Sequence, residues 1–173
     1  MRHEKLLQIV HRDPAYFQML FYALGLATVY PILILFTPTF NLPVMIAWLY
    51  WGVVKFILAY AMVRGYRLTA LKRLAVLGIL FVMSGFFSFF PVWGLIGDLV
   101  EAAALGGLSL FLFDLGRAYP MLDLQTPAGL IFLGLVFTLL TDETLTLIGL
   151  LMLLLGLAMA ALAVRKGAYL RPK

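Results

Sequence analysis

Apolar residues run along this chain in long unbroken blocks, separated by short groups of Gly, Pro, Asn, Asp and basic residues. The blocks fall at about residues 15–38, 42–63, 70–90, 92–113, 127–141 and 144–164. About 20 apolar residues in helical form cross a hydrocarbon core of roughly 30 Å. A lipid-facing strand would instead alternate apolar and polar residues over about 10 positions. Runs such as LIGLLMLLLGLAMAALAV show no alternation, so the pattern predicts an all-α integral membrane protein of six transmembrane helices. The fifth block is the short one: it begins earlier, near Met121, or sits in a thinner patch of bilayer.

Composition agrees. The chain is 64% hydrophobic and 12% charged, with a mean hydropathy of +1.05. Soluble domains are nearer half apolar and a quarter charged, so lipid has to be the solvent for most of this surface. The 173 residues form a single transmembrane domain, since six spans consume most of them. No cysteine is present, which excludes disulfides, thiolate metal sites and cysteine nucleophiles. Asn41 is followed by Leu42 and Pro43, so there is no glycosylation sequon. The opening residues do not read as a cleaved signal peptide.

The boundaries between blocks carry helix-end chemistry. Asn41 with Pro43, Thr126 with Pro127, and Thr141-Asp142-Glu143 resemble helix starts, supplying cap oxygens or a proline where no amide partner is needed. Gly65, Gly116 and Gly167 are expected to follow spans two, four and six as left-handed terminal residues. Residues 1–14 form a cytoplasmic or interfacial segment, with Leu6, Leu7, Ile9 and Val10 set against Arg2, Lys5 and Arg12.

Charge fixes the orientation. Of 13 Lys and Arg residues, all but Lys55 lie in the N-terminal segment, the even-to-odd loops (Arg64, Arg67, Lys72, Arg73, Arg117) or the tail. An even number of spans puts them all on one side. The opposite loops hold only Asp142 and Glu143. Basic residues stay cytoplasmic, so both termini are expected inside, in the plasma (inner) membrane of a prokaryote. The net charge of +5 is then an orientation signal and a face for anionic lipid head groups. Nucleic acid is not an expected partner, because no soluble domain presents a groove for it.

Landmarks recur at a spacing of about 51 residues. Gly65, Gly116 and Gly167 are each followed by an aromatic (Tyr66, Tyr119, Tyr169), and the outer turns at Asn41, Pro91 and Thr141 recur every 50. The odd spans share Leu24-Gly25-Leu26, Leu77-Gly78-Ile79 and Leu133-Gly134-Leu135. These predict three helical hairpins from an internal triplication, arranged about an axis near the membrane normal. In topology that arrangement resembles the mitochondrial carriers. Their Pro-x-acid-x-x-base signature is absent from the odd spans, so the resemblance carries no transport chemistry with it.

Candidate chemistry is sparse. His3 and His11 precede the first span, which excludes haem ligation between spans, and no cofactor or metal is expected. Ser84, Ser88 and Ser109 have no intramembrane histidine to activate them. Small residues at Ala102, Gly106, Gly107, Gly156 and Ala160 allow close helix approach, within the chain or toward a homo-oligomer or membrane-complex partner. Charge inside the spans is the sharper feature: Lys55 in span two, Asp98 and Glu101 in span four. A charge at a helix centre costs about 2.5–3.5 kcal/mol on insertion scales. The lysine should therefore pair with Glu101, with Asp98 as second choice.

Two functions follow. One is a non-enzymatic accessory protein or a subunit of a membrane complex. The other is a small transporter or channel for a proton, ion or small solute, using Lys55, Asp98 and Glu101. A solute pathway needs polar groups on more than two helices, and the odd spans offer only Thr28, Ser84 and Thr138 near mid-membrane. That favours the accessory reading. The observation that separates them best is whether a water-accessible cavity lies between spans two and four.

Overall fold

The computed structural model describes residues 2–13, 15–40, 44–90, 94–140 and 142–169. Among these residues it is helical, with no strand. The helices are α1 Arg2–Arg12, α2 Ala15–Phe40, α3 Val44–Thr69, α4 Lys72–Phe89, α5 Gly94–Ala118, α6 Gln125–Thr138 and α7 Glu143–Gly167, with a 3-10 turn at Pro120–Leu122. Five of them, α2 to α5 and α7, are long and apolar enough to cross a membrane. α6 has 14 residues, about 21 Å at 1.5 Å per residue, which is short of a hydrocarbon core of roughly 30 Å. Large apolar side chains such as Leu95, Leu110, Leu155 and Leu162 stand exposed around the bundle. So much continuous apolar surface calls for lipid around it.

Each helix from α2 to α7 packs on the next, and α7 returns to α2, closing a ring of six. α1 lies against α3 and α5 at one end of the ring. Its Leu6 and Ile9 are fully buried, and the Tyr119 hydroxyl donates to the Leu6 carbonyl at 2.9 Å. Phe17 meets Tyr119 edge to face, with centroids 5.4 Å apart. Apolar packing therefore closes this end.

Several helix ends differ from the sequence expectation. Spans expected to stop at 63, 113 and 164 run on to Thr69, Ala118 and Gly167. The extensions carry Arg64, Arg67, Arg117, Arg165 and Lys166, which leave the apolar stretch without breaking the backbone hydrogen bonds. Gly65 and Gly116 thus lie inside their helices, where they serve close approach. A Cβ at Gly65 would sit 2.7 Å from the Tyr16 hydroxyl, and one at Gly116 3.0 Å from Leu124 Cβ. The left-handed residue after α3 is Ala70, at φ 54°, a conformation glycine reaches at lower cost. α6 starts at Gln125, which puts Pro127 in its first turn, where a missing N–H loses nothing. Asp142 caps α7 by accepting from the Leu145 amide at 2.9 Å. Asn41, Pro43, Pro91 and Thr141 lie outside the described residues.

Two helix pairs pack closely through glycines, one of them with little side chain between the helices. On the α6–α7 seam, a Cβ at Gly149 would lie 2.7 Å from the Thr138 amide nitrogen and 2.8 Å from the Gly134 carbonyl oxygen. One at Gly156 would lie 2.9 Å from the Ile131 nitrogen. On the α3–α4 seam the glycines instead admit side chains: a Cβ at Gly78 would lie 2.9 Å from Val63 Cγ2, one at Gly85 3.1 Å from the Phe56 ring and one at Gly52 2.9 Å from the Phe89 ring. Both seams repeat small residues every seven positions, the spacing of left-handed helix packing. They do not follow the 51-residue period: one joins two of the expected hairpins, and the other lies inside the third.

Candidate functional site: a cavity beside a buried ion pair

Lys55 lies midway along α3, with Trp51 one turn earlier on the same face. Their side chains are buried to 1% and 3% exposure. An ammonium so placed needs an acceptor for each of its three protons. It finds Glu101 Oε2 on α5 at 2.5 Å, Ser88 Oγ on α4 at 2.8 Å and the Ser84 carbonyl at 3.4 Å. The Trp51 ring adds its π-face, 5.3 Å from Nζ to the centroid. α3 and α5 are not neighbours in the ring, so this pair crosses its interior.

The second Glu101 oxygen accepts from Trp51 Nε1 at 2.8 Å. Tyr30 of α2 stacks on Trp51 with centroids 4.5 Å apart and planes 9° apart. One network thus joins α2, α3, α4 and α5. Asp98, one turn before Glu101, is exposed and has no salt bridge or hydrogen bond among the described residues. The structure brings Lys55 and Glu101 into contact and sets Asp98 farther off, near enough for its charge to act on Lys55 and Tyr30.

Beside the network is a cavity of about 490 Å³, lined by all six ring helices. It occupies the end of the bundle away from α1, where α2, α4 and α6 finish and α3, α5 and α7 begin. On α5 the lining runs from Gly94 to Leu105, about 16 Å of helix. One wall carries Tyr30, Trp51, Ser84, Ser88, Asp98 and Glu101. The facing wall, from α6 and α7, presents Leu135, Leu139, Leu150, Leu153 and Leu157. Its Thr138 hydroxyl is taken up by the Leu135 carbonyl at 2.8 Å.

Ser84 is 1% exposed and its hydroxyl has no partner. An orphaned buried hydroxyl costs about 1–3 kcal/mol, and Ser84 is one of the residues that line the cavity. Ser109 is structural, donating to the Ala128 carbonyl at 2.7 Å. Among the described residues no group of three or more His, Cys, Asp or Glu could hold a metal. The side chains of His3 and His11 lie outside the description.

Sequence reasoning picked out the charges and the Lys55–Glu101 pairing, but not the neutral groups around the pair. Trp51 and Ser88 left a signal: each stands one turn from a polar residue on the same face, Lys55 and Ser84 respectively. Tyr30 left none, because its stacking depends on how the ring closes. No family model matches the chain, and no curated protein and no solved structure matches it either.

Proposed function

We propose that the protein is a small transporter or channel for a small solute, with six spans, both termini in the cytoplasm and the cavity facing outward. The observation that carries this reading is the cavity itself, which lies between α3 and α5 beside the Lys55–Glu101 pair. Polar groups reach it from α2, α3, α4 and α5, more helices than an isolated structural pair requires. Ser84, whose buried hydroxyl has no partner, belongs to the lining of the same cavity, which supports the same reading. Orientation rests on the basic residues: Arg64, Arg67, Lys72, Arg73, Arg117, Arg165 and Lys166 cluster at the α1 end, which the positive-inside rule assigns to the cytoplasm.

The accessory reading draws on the small-residue faces, but most of these are used inside the chain. Gly107 receives Leu77 and Gly156 receives Ile131, so they leave little for a partner.

The absence of cysteine makes a clean test. Ala102 lines the cavity, whereas Ala61 is fully buried. In intact cells an impermeant thiol reagent added outside should modify Ala102→Cys and leave Ala61→Cys untouched. Equal inertness of both would remove the accessible cavity. Modification of Ala102→Cys only after the cytoplasmic face is exposed would reverse the orientation.

A further inference from the structure

We infer that the cavity takes an organic monocation with an apolar body, its positive centre held by the Asp98 carboxylate. The inference rests on the solute-binding reading above and names the class of solute.

Charge comes first. Two carboxylates, Asp98 and Glu101, line the cavity, and the one buried base beside them, Lys55, gives its protons to Glu101, Ser88 and Ser84. Lys55 pairs directly with Glu101 and meets the charge of Asp98 only at longer range, so the three groups together keep one net negative charge. A single positive charge completes the balance. An anion would meet two carboxylates and a lysine already engaged, and a zwitterion would bring a second negative charge against the same wall.

Size and shape come next. A space of about 490 Å³ is far larger than a bare metal ion or proton needs and falls in the range of small-molecule sites, roughly 300–1,000 Å³. The leucine wall of α6 and α7 offers no free hydrogen-bonding side chain, so a sugar-like solute would be desolvated there without compensation. An apolar body fits that wall. Tyr30 and Trp48 line the same space, and aromatic rings attract such cations. Ser84, buried and with an unpartnered hydroxyl, is a lining residue as well, a polar group independent of the carboxylates.

The test uses the full chain in detergent and three probes of one shape: 2-phenylethylammonium, the neutral 2-phenylethanol and the anion phenylacetate. Calorimetry should show binding of the ammonium, and Asp98→Asn should weaken it about tenfold or more, the usual range for losing a charged hydrogen bond. Asp98→Glu should restore it. Because Asp98 makes no hydrogen bond or salt bridge among the described residues and meets Lys55 only through charge at longer range, Asp98→Asn should melt close to the temperature of the parent when no probe is present, which separates loss of binding from loss of fold. Alcohol or phenylacetate binding as tightly as the ammonium, or full affinity in Asp98→Asn, would overturn the cation assignment while leaving the solute-binding reading in place. Binding of none of the three would overturn both.

Discussion

The two walls of the cavity are held in place by different physics. The wall from α2 to α5 is fixed by side chains: an ion pair, an indole–carboxylate hydrogen bond, a stacked tyrosine and two serines. The α6–α7 wall is fixed by backbone against backbone, through Gly134, Gly149 and Gly156. In lipid the hydrophobic effect gives helices no reason to prefer one another, so association falls to close packing and polar contacts. This bundle adds polar contacts to a small-residue seam on the first wall, where α3 and α4 close over Gly52, Gly78 and Gly85, and relies on backbone contact on the second. The polar side carries charge to the cavity, and the glycine side gives it a smooth leucine surface.

The comparison breaks most visibly at Lys55. Lys55→Met leaves Glu101 without its cation, and Glu101→Leu leaves a lysine at 1% exposure without its anion. Removing one partner of a buried pair costs about 3–5 kcal/mol, and replacing both costs less than either alone. Glu101→Leu should be the worse single change, because the lysine it strands is the more buried partner. Melting in detergent across the double-mutant cycle should show strong coupling. The pair of Arg64 and Asp13 serves as control. Its side chains are 34% and 18% exposed, and its coupling should stay below about 1 kcal/mol. Additive losses at Lys55 and Glu101 would show that the polar wall is not held by this pair.

Much of this wall could be read from the sequence, because an isolated charge within an apolar block has to find a counter-charge. Lys55 and Glu101 were legible for that reason, and the spacing of the blocks gave the helices. What hydropathy does not report is where a helix ends once it has left the lipid. Arg64 and Arg67 interrupt an apolar run without interrupting a backbone, so the expected end of α3 fell six residues short of Thr69. Nor does composition distinguish a glycine that ends a helix from one that admits a neighbour. Gly65 looked like the former and is the latter, since its missing Cβ makes room for Tyr16. The cavity was beyond reach for a similar reason: its walls come from six helices, and only the closed ring brings them together.

The next effect belongs to the glycine wall. Gly149→Ala would place a methyl 2.7 Å from the Thr138 nitrogen and 2.8 Å from the Gly134 oxygen. Both are backbone atoms and cannot rotate away, so the helices must separate. Overpacking of this kind costs about 1–3 kcal/mol. The melting temperature should fall although alanine is the better helix former. No change in melting would mean that the α6–α7 seam is looser than its backbone distances indicate, and the contrast between the walls would fade.

The smallest effect has the opposite sign and makes the same point more sharply. Gly129 lies on α6 with Gly134, but a Cβ there would meet nothing within 4 Å, and the residue is exposed. With no neighbour to displace, only the backbone term remains. Glycine within a helix is roughly 0.5–1 kcal/mol less favourable than alanine, because it loses more conformational freedom on ordering. Gly129→Ala should therefore raise the melting temperature slightly, while Gly149→Ala lowers it. The two substitutions are chemically identical and sit on the two helices of one wall, so they differ only in whether a backbone lies opposite. If Gly129→Ala also destabilised the protein, the penalty would have to come from glycine content in this wall as a whole, and the backbone contact at Gly149 would lose its special standing.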